Sequence, residues 1–399
     1  MAELRQNTWE TDPLYDQVVA GNIKYVGAPN LYTWGYNGNG VLGLNDKVSR
    51  SSPTQVPGTT WYQSTSAPGD VRASTRTDNT LWVVGNGNNG ALGQNQPDNT
   101  KRSSPVQISG TDWDHTKLWG SEKSFYAFKT NGDLYVWGGN YYGQLGMNEA
   151  VSTHRSSPIQ LPGTWNDLGT TQTLNGAMIH KSDGTLWGIG RNSGRLGLND
   201  LALRSSPTQL PAGPTGGPGR GWSSKFSCGN GTTFAIKNDG SLHSWGYNEY
   251  GERGMNTADT PSSSPMQVGT NTDWATICNV NTSCVSIKTD GSLWCWGRNE
   301  YGQLGQNQAA AQLTGLSSPT QVGTDTNWSA TLGHLTAGND AFMAIKTDGT
   351  LWSWGLNTHG VLGKNAPNTT HQSSPTQIDG NWKNIYMSAN YGIWGTRNF

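Results

Sequence analysis

Short apolar runs, each closed by a polar glycine-rich turn, recur along the chain from residue 31 onward. AIKTDGTLWSWG (Ala344 to Gly355) is one such run. It alternates apolar and polar positions, breaks at Asp348-Gly349, and resumes. Alternation of period two marks half-buried strands. Asp-Gly between two such runs marks a hairpin in which both central residues take positive φ. The same turn recurs at Asp183-Gly184, Asp239-Gly240 and Asp290-Gly291, and as Asn131-Gly132.

The pattern has a period. A leucine (Leu31, Leu81, Leu134, Leu186, Leu242, Leu293, Leu351) precedes a glycine (Gly35, Gly85, Gly138, Gly190, Gly246, Gly297, Gly355), and successive glycines stand 50 to 58 residues apart. A Gly-x-Leu-Gly-x-Asn turn follows, ending at Asn45, Asn95, Asn148, Asn199, Asn256, Asn307 and Asn365. After a variable loop comes Ser-Ser-Pro-x-Gln, from Ser51-Ser52-Pro53 to Ser373-Ser374-Pro375. A tryptophan ends each unit: Trp61, Trp113, Trp165, Trp222, Trp274, Trp328, Trp382.

Tryptophan at repeat positions reads as scaffold. Besides those seven, five stand before the glycines (Trp34, Trp137, Trp245, Trp296, Trp354) and four after the leucines (Trp82, Trp187, Trp294, Trp352). The two units without the central tryptophan carry Val84 and Ile189, as a packing position allows. About four short strands per repeat of ~50 residues, stacked by aromatics, read as the blades of a propeller. Tryptophan and leucine then pack between neighbouring sheets, glycines turn the chain beside them, and Asn and Gln satisfy backbone groups in the turn.

Composition agrees with a turn-rich all-β chain. Of 399 residues, 54 are Gly and 19 Trp, while only 13% are charged. A net charge of -1 argues against a nucleic-acid footprint, which needs a basic face. No apolar run has the length of a membrane span. MAELRQNTWETD at the start lacks the apolar stretch of a signal peptide, so a cytoplasmic origin is expected. Cys228, Cys278, Cys284 and Cys295 form no CxxC pair and read as small buried side chains rather than a disulfide or metal site. The histidines (His115, His154, His180, His243, His334, His359, His371) occupy different repeat positions. No metal, cofactor or catalytic residue is expected, and the chain reads as a non-enzyme.

The seven runs of Leu-x-x-Trp-Gly-x-Asn-x-x-Gly-Gln-Leu-Gly type, clearest at Leu134 to Gly146 and Leu293 to Gly305, resemble the regulator-of-chromosome-condensation repeat family. The resemblance covers roughly residues 30 to 399. It implies an all-β fold, a seven-bladed β-propeller of the regulator-of-chromosome-condensation type, closed by both termini. Gly87 in place of the turn Asn, the shortened Asn192-Ser193-Gly194 and Arg253 in place of leucine are local departures. Members of the family include an exchange factor for a small GTPase, a plant ultraviolet-B photoreceptor and a β-lactamase inhibitor. The photoreceptor's Gly-Trp-Arg-His-Thr runs have one echo, Asp112-Trp113-Asp114-His115-Thr116, with Asp where Arg belongs. What these members share is binding a protein through a propeller face or rim.

The first unit starts at its third strand, and NWKNIYMSANYGIWGTRNF at the end supplies two more, so the last blade is expected to combine both termini. Residues 1–30 form an N-terminal arm and 31–399 a single propeller domain. PAGPTGGPGRG (Pro211 to Gly221) is a surface insertion. The arm's Trp9, Leu14 and Tyr15 are binding candidates, since so few apolar residues cannot build a core. Arg50, Arg102, Arg155 and Arg204, each directly before Ser-Ser-Pro, are candidates for an acidic or phosphate-bearing partner; the alternative is an arginine that ties down its own loop. Tyr141, Tyr142, Tyr250 and Tyr301, in the turn after Trp-Gly, would serve a glycan-binding adhesin.

The expected function is protein–protein contact within a large assembly, as a structural or decoration subunit of a phage virion put together in a host cytoplasm. The partners would be other protein subunits, with neither nucleic acid nor membrane insertion. The alternatives are a regulatory, exchange-factor-like binder of a cytosolic protein and the adhesin.

Overall fold

The structure, a computed structural model, describes residues 30–67, 71–170, 175–211, 221–229, 231–308, 313–338, 340–366, 370–387 and 392–397. The arm ahead of residue 30, with Trp9, Leu14 and Tyr15, and the interior of the 211–221 insertion lie outside these residues.

Regular structure among the described residues is antiparallel strand apart from two short turns of 3-10 helix, Asn88–Gly90 and Thr358–Gly360. Five sheets have four strands each. In the sheet of Trp274–Val280, Ser283–Lys288, Leu293–Arg298 and Gly315–Gln321, each strand pairs with the one before it.

The remaining strands form one seven-stranded sheet where two separate blades are expected. The cause is Gln372–Met387, a single strand of 16 residues. Its first part pairs with Thr350–Gly355 and its last part with Gly392–Arg397. Only Asp379, Gly380 and Asn381 separate Ile378 from Trp382, with no proline among them, and Thr350 still pairs with Asn381. The ladder therefore runs on instead of breaking. Gly392–Arg397 in turn pairs with Asn30–Gly35, bringing Leu31 opposite Thr396 and Trp34 opposite Ile393. Strands from the two ends of the chain thus share a sheet.

The core lies between successive sheets. Phe234, Ile236 and Leu242 of one sheet pack with Trp274, Cys284 and Trp296 of the next. All seven leucines of the repeat are buried, as are the five central tryptophans and their replacements Val84 and Ile189. A buried indole N–H needs an acceptor, and each central tryptophan finds it on the neighbouring unit's turn. Trp137 donates to Ala91 O (3.1 Å), Trp245 to Arg195 O (2.8 Å), Trp296 to Glu252 O (2.9 Å), Trp354 to Gln303 O (2.9 Å) and Trp34 to Val361 O (2.9 Å).

The repeated asparagine and the Ser-Ser-Pro strand form a second seam. Asn307 N–H donates to Ser373 O at 2.7 Å, and all seven asparagines do the same toward a neighbouring unit, down to Asn365 with Ser51 O. All seven sit at φ between 50° and 62°, a region that asparagine tolerates better than most residues. The first glycine of the turn comes close to the same serine: a Cβ on Gly302 would stand 2.6 Å from Ser373 Cα. Positive φ and close approach together require glycine there.

Two expectations need correction. In the hairpins only the glycine has positive φ, as at Gly184 (77°) and Gly349 (83°); the aspartate does not. Gly184 N–H donates to Lys181 O (3.0 Å), which closes a three-residue loop rather than a two-residue one. The aspartate instead accepts from the residue two places on. Asp183 Oδ1 takes Thr185 N–H (3.0 Å) and Oγ1 (2.6 Å), and Thr185 Oγ1 accepts Trp187 Nε1–H (2.9 Å). The other correction concerns Trp165, which is half-buried while the other six unit-ending tryptophans are buried. Its sheet begins only at Asp167, so the ring lies on the margin against Trp187.

Candidate functional surface

Each unit-ending tryptophan is covered by a cation from the second strand, and in six units the same cation also covers the aromatic that follows the repeat leucine. Lys346 Nζ lies 4.8 Å from the Trp328 ring and 4.3 Å from Trp352. Lys129, Lys181 and Lys288 repeat the arrangement, with Arg76 and Arg397 as its arginine forms. Lys237 covers Trp222 alone, where His243 takes the aromatic position. Sequence reasoning missed this residue. Its signal was present: a basic side chain stands at one register before the hairpin in six units, and Arg397 holds the equivalent place on the last strand. These rings are consumed by the scaffold, so a ligand cannot stack on them.

The four arginines pair at one register position, opposite Gly35, Gly85, Gly138 and Gly190. Arg50 reaches Asp46 Oδ2 at 2.6 Å and donates to Val48 O at 2.7 Å. Arg155 pairs with Glu149, and Arg204 with Asp200 and with Ala202 O. In each case the acid directly follows the repeat asparagine, so the arginine clasps the variable loop between them. Burial pulls the Asp46 carboxyl up, but hydrogen bonds from Val48 N–H and Arg50 outweigh it and leave the carboxyl below its usual range. Arg102 has Gln96 at the acid's position and makes no ion pair among the described residues. Three of the four therefore tie their own loops.

The tyrosines are also engaged, mostly across unit borders. Arg191 lies 5.1 Å from the Tyr142 ring and Arg298 4.8 Å from Tyr250. Tyr141 meets His154 edge-on at 4.6 Å, and Tyr301 meets His371 at 5.3 Å. Those two histidines share one repeat position, contrary to the sequence reading. Each accepts a turn N–H at Nδ1, His154 from Asn140 (3.0 Å) and His371 from Asn357 (3.2 Å). A groove of about 490 Å³ beside Tyr250 is lined by Ala258, Arg298, Glu300 and Thr314. With Arg298 over its ring, Tyr250 has one face taken.

Sequence reasoning also missed what the arginine-tied loops present. Val48, Val151, Leu201 and Leu203 project from the loops of the first, third and fourth units and are exposed. They fall in the variable segment, where no repeat position flags them.

Among the described residues no group of three or more His, Cys, Asp or Glu is placed to hold a metal ion. All four cysteines are free. Cys284 faces Trp296 across the ladder and Cys295 faces Val285, so the two project from opposite faces of the sheet. Burial pushes the thiols of Cys228, Cys278 and Cys295 up to about 12, which keeps them protonated and unreactive.

Comparison with known proteins agrees with the repeat geometry. The family model described as the RCC1-like domain matches residues 31–393. The chain belongs to this family. It is 26% identical over 339 residues to the ultraviolet-B receptor UVR8 of Arabidopsis thaliana, covering 83% of this chain and 74% of that one. It is 27% identical over 249 residues to the human E3 ubiquitin-protein ligase HERC2, covering 59% of this chain but only 5% of HERC2. Among solved structures, Prp20p of Saccharomyces cerevisiae superposes with a TM-score of 0.78 at 17% identity, covering 94% of this chain and 93% of that one. That likeness extends to the fold. RCC1-like chains are β-propellers built for contact with other proteins.

Proposed function

We propose that this RCC1-like protein is a seven-bladed propeller, its ring completed by pairing the two ends of the chain, that binds a protein partner without catalysis. Support for the ring comes from the pairing of Asn30–Gly35 with Gly392–Arg397 and from the Asn365–Ser51 bond. The binding surface is the set of arginine-tied loops. One observation carries this reading: Val48 (61% exposed), Val151 (47%), Leu201 (70%) and Leu203 (48%) recur between the repeat asparagine and Ser-Ser-Pro in three of the first four units. Single exposed apolar residues are ordinary. Here they gather, at varying positions, in the same variable loop of three units, and each of those loops is already held by an ion pair, which lowers the entropy lost on binding.

Regulatory binding is the leading form of this function. Prp20p, of the same fold, was reported together with its binding to Gsp1p and histones. A structural role in a large assembly such as a virion, with virion or cytoplasmic location to match, is the second reading. It is favoured by the evenness of the rim, since the Asn-to-Ser link recurs in all seven units and offers near-equivalent contacts to a symmetric partner.

The test replaces Val48, Val151, Leu201 and Leu203 together with serine. Melting should be unchanged while the protein captured by the parent chain from native lysate is lost. Equal capture by both forms would refute the loop surface. Sedimentation of the captured complex separates the two forms of the function: a discrete complex supports regulation, and a large particle supports assembly.

A further inference from the structure

Between the fourth and fifth sheets lies a small enclosed cavity with about 10 Å³ of room, enough for one water- or halide-sized species. Ala177 and Met178 line it from one sheet, and Cys228 and Thr233 from the next. Arg191 and Arg195, from the turn of the fourth unit, complete the wall.

Arg195 is 3% exposed, and its Nε and Nη1 have no hydrogen-bond partner. Its guanidinium lies 5.1 Å from the Tyr247 ring and also hydrogen-bonds the Tyr247 side chain, which still leaves Nε and Nη1 unused. Neither Arg191 nor Arg195 forms an ion pair among the described residues. Burial pulls the Arg195 pKa down; Tyr247 partly offsets this, and the nearby charge of Arg191 adds to the fall.

No carboxylate lines this cavity among the described residues. Glu122 is committed to Asn175 Nδ2 at 2.8 Å. The Cys228 thiol is neutral, and Thr233 Oγ1 already donates to Arg195 O at 2.8 Å. The buried Arg195 guanidinium therefore borders this space with the charge of Arg191 nearby, and no carboxylate among the described lining residues balances it. A buried charge in that position calls for a counter-ion.

We propose that the cavity is a binding site for a small monovalent anion, chloride or another halide, held by Arg195 Nε and Nη1 with Arg191 supplying the second positive charge. Its size excludes sulfate and phosphate, and its Ala177, Met178 and Leu196 walls suit a weakly hydrated ion. The site lies apart from the loop surface and does not depend on that reading. Trp245 of the fifth unit donates to Arg195 O, so a bound anion would stiffen the seam between the two units.

The experiment compares the full-length protein in sodium chloride, bromide, gluconate and sulfate at matched ionic strength. Chloride and bromide should raise the melting temperature saturably, by about 2 °C relative to gluconate, whereas sulfate should act only through its general, non-saturating stabilisation. Chloride-35 NMR lines should broaden with protein and sharpen again when bromide competes. Arg195→Gln should abolish both the halide-specific shift and the broadening. Equal melting in chloride, bromide and gluconate, absent broadening, or broadening that persists in Arg195→Gln would each overturn the proposal. Should Arg195→Gln fail to fold, the bromide competition on the parent protein decides alone.

Discussion

Asn365 N–H donates to Ser51 O at 3.3 Å, and Ser51 Oγ–H donates to Asn365 Oδ1 at 3.0 Å, across 314 residues of sequence. The same pair of bonds joins Asn45 to Ser103 and Ser104. The link between the ends of the chain is therefore made like a link within it. Replacing Asn365 with alanine places a less suitable residue at positive φ and removes the side-chain acceptor. Stability should fall by about 1–2 kcal/mol, read from urea unfolding. Asn365→Gly should recover about half. A loss equally large in glycine would show that φ is not the cause.

Truncation before Gly392 removes a strand paired on both sides. If both ends hold the ring, the whole protein should lose its cooperative melt. A shortened chain that melts as the parent does would contradict completion of the ring by the termini.

Trp354 and Trp352 offer a comparison two residues apart. Trp354 is fully buried and bonded to Gln303 O, whereas Trp352 is half-buried beside Lys346. Trp354→Ala should cost about 3–5 kcal/mol and Trp352→Ala clearly less. Chemical denaturation of the two variants measures the order, and equal losses would undo the assignment of the core.

Acid should loosen the protein through its histidines. Burial lowers the pKa of His154 and His334 from the usual 6.5, and takes His243 down to about 4. A histidine with a depressed folded pKa favours the neutral form in the folded state. Its stabilisation is present above pH 6.5 and is lost as pH falls toward the folded value. Melting temperature should drop between pH 6.5 and 4, and His243→Gln should flatten that drop. A flat profile in the parent protein would refute it.

The repeat, the strands and the packing role of the tryptophans were legible in the sequence, because one solution to blade packing is written seven times. Leu293, Trp296 and Asn307 each meet residues of an adjoining unit at recurring repeat positions, so their periodicity carries their contacts. The binding surface was less legible. Arg50 and Arg204 drew notice as a regular series, but only the folded loop shows that each is held by the acid four residues before it. Val48 and Leu201 carry no repeat signature, because exposure depends on what the rest of the chain leaves uncovered. Tertiary structure alone brought Arg195 beside Cys228, which lies on another sheet. Periodicity records the contacts every unit makes alike. A site built from what differs between two units appears only when those units are set side by side.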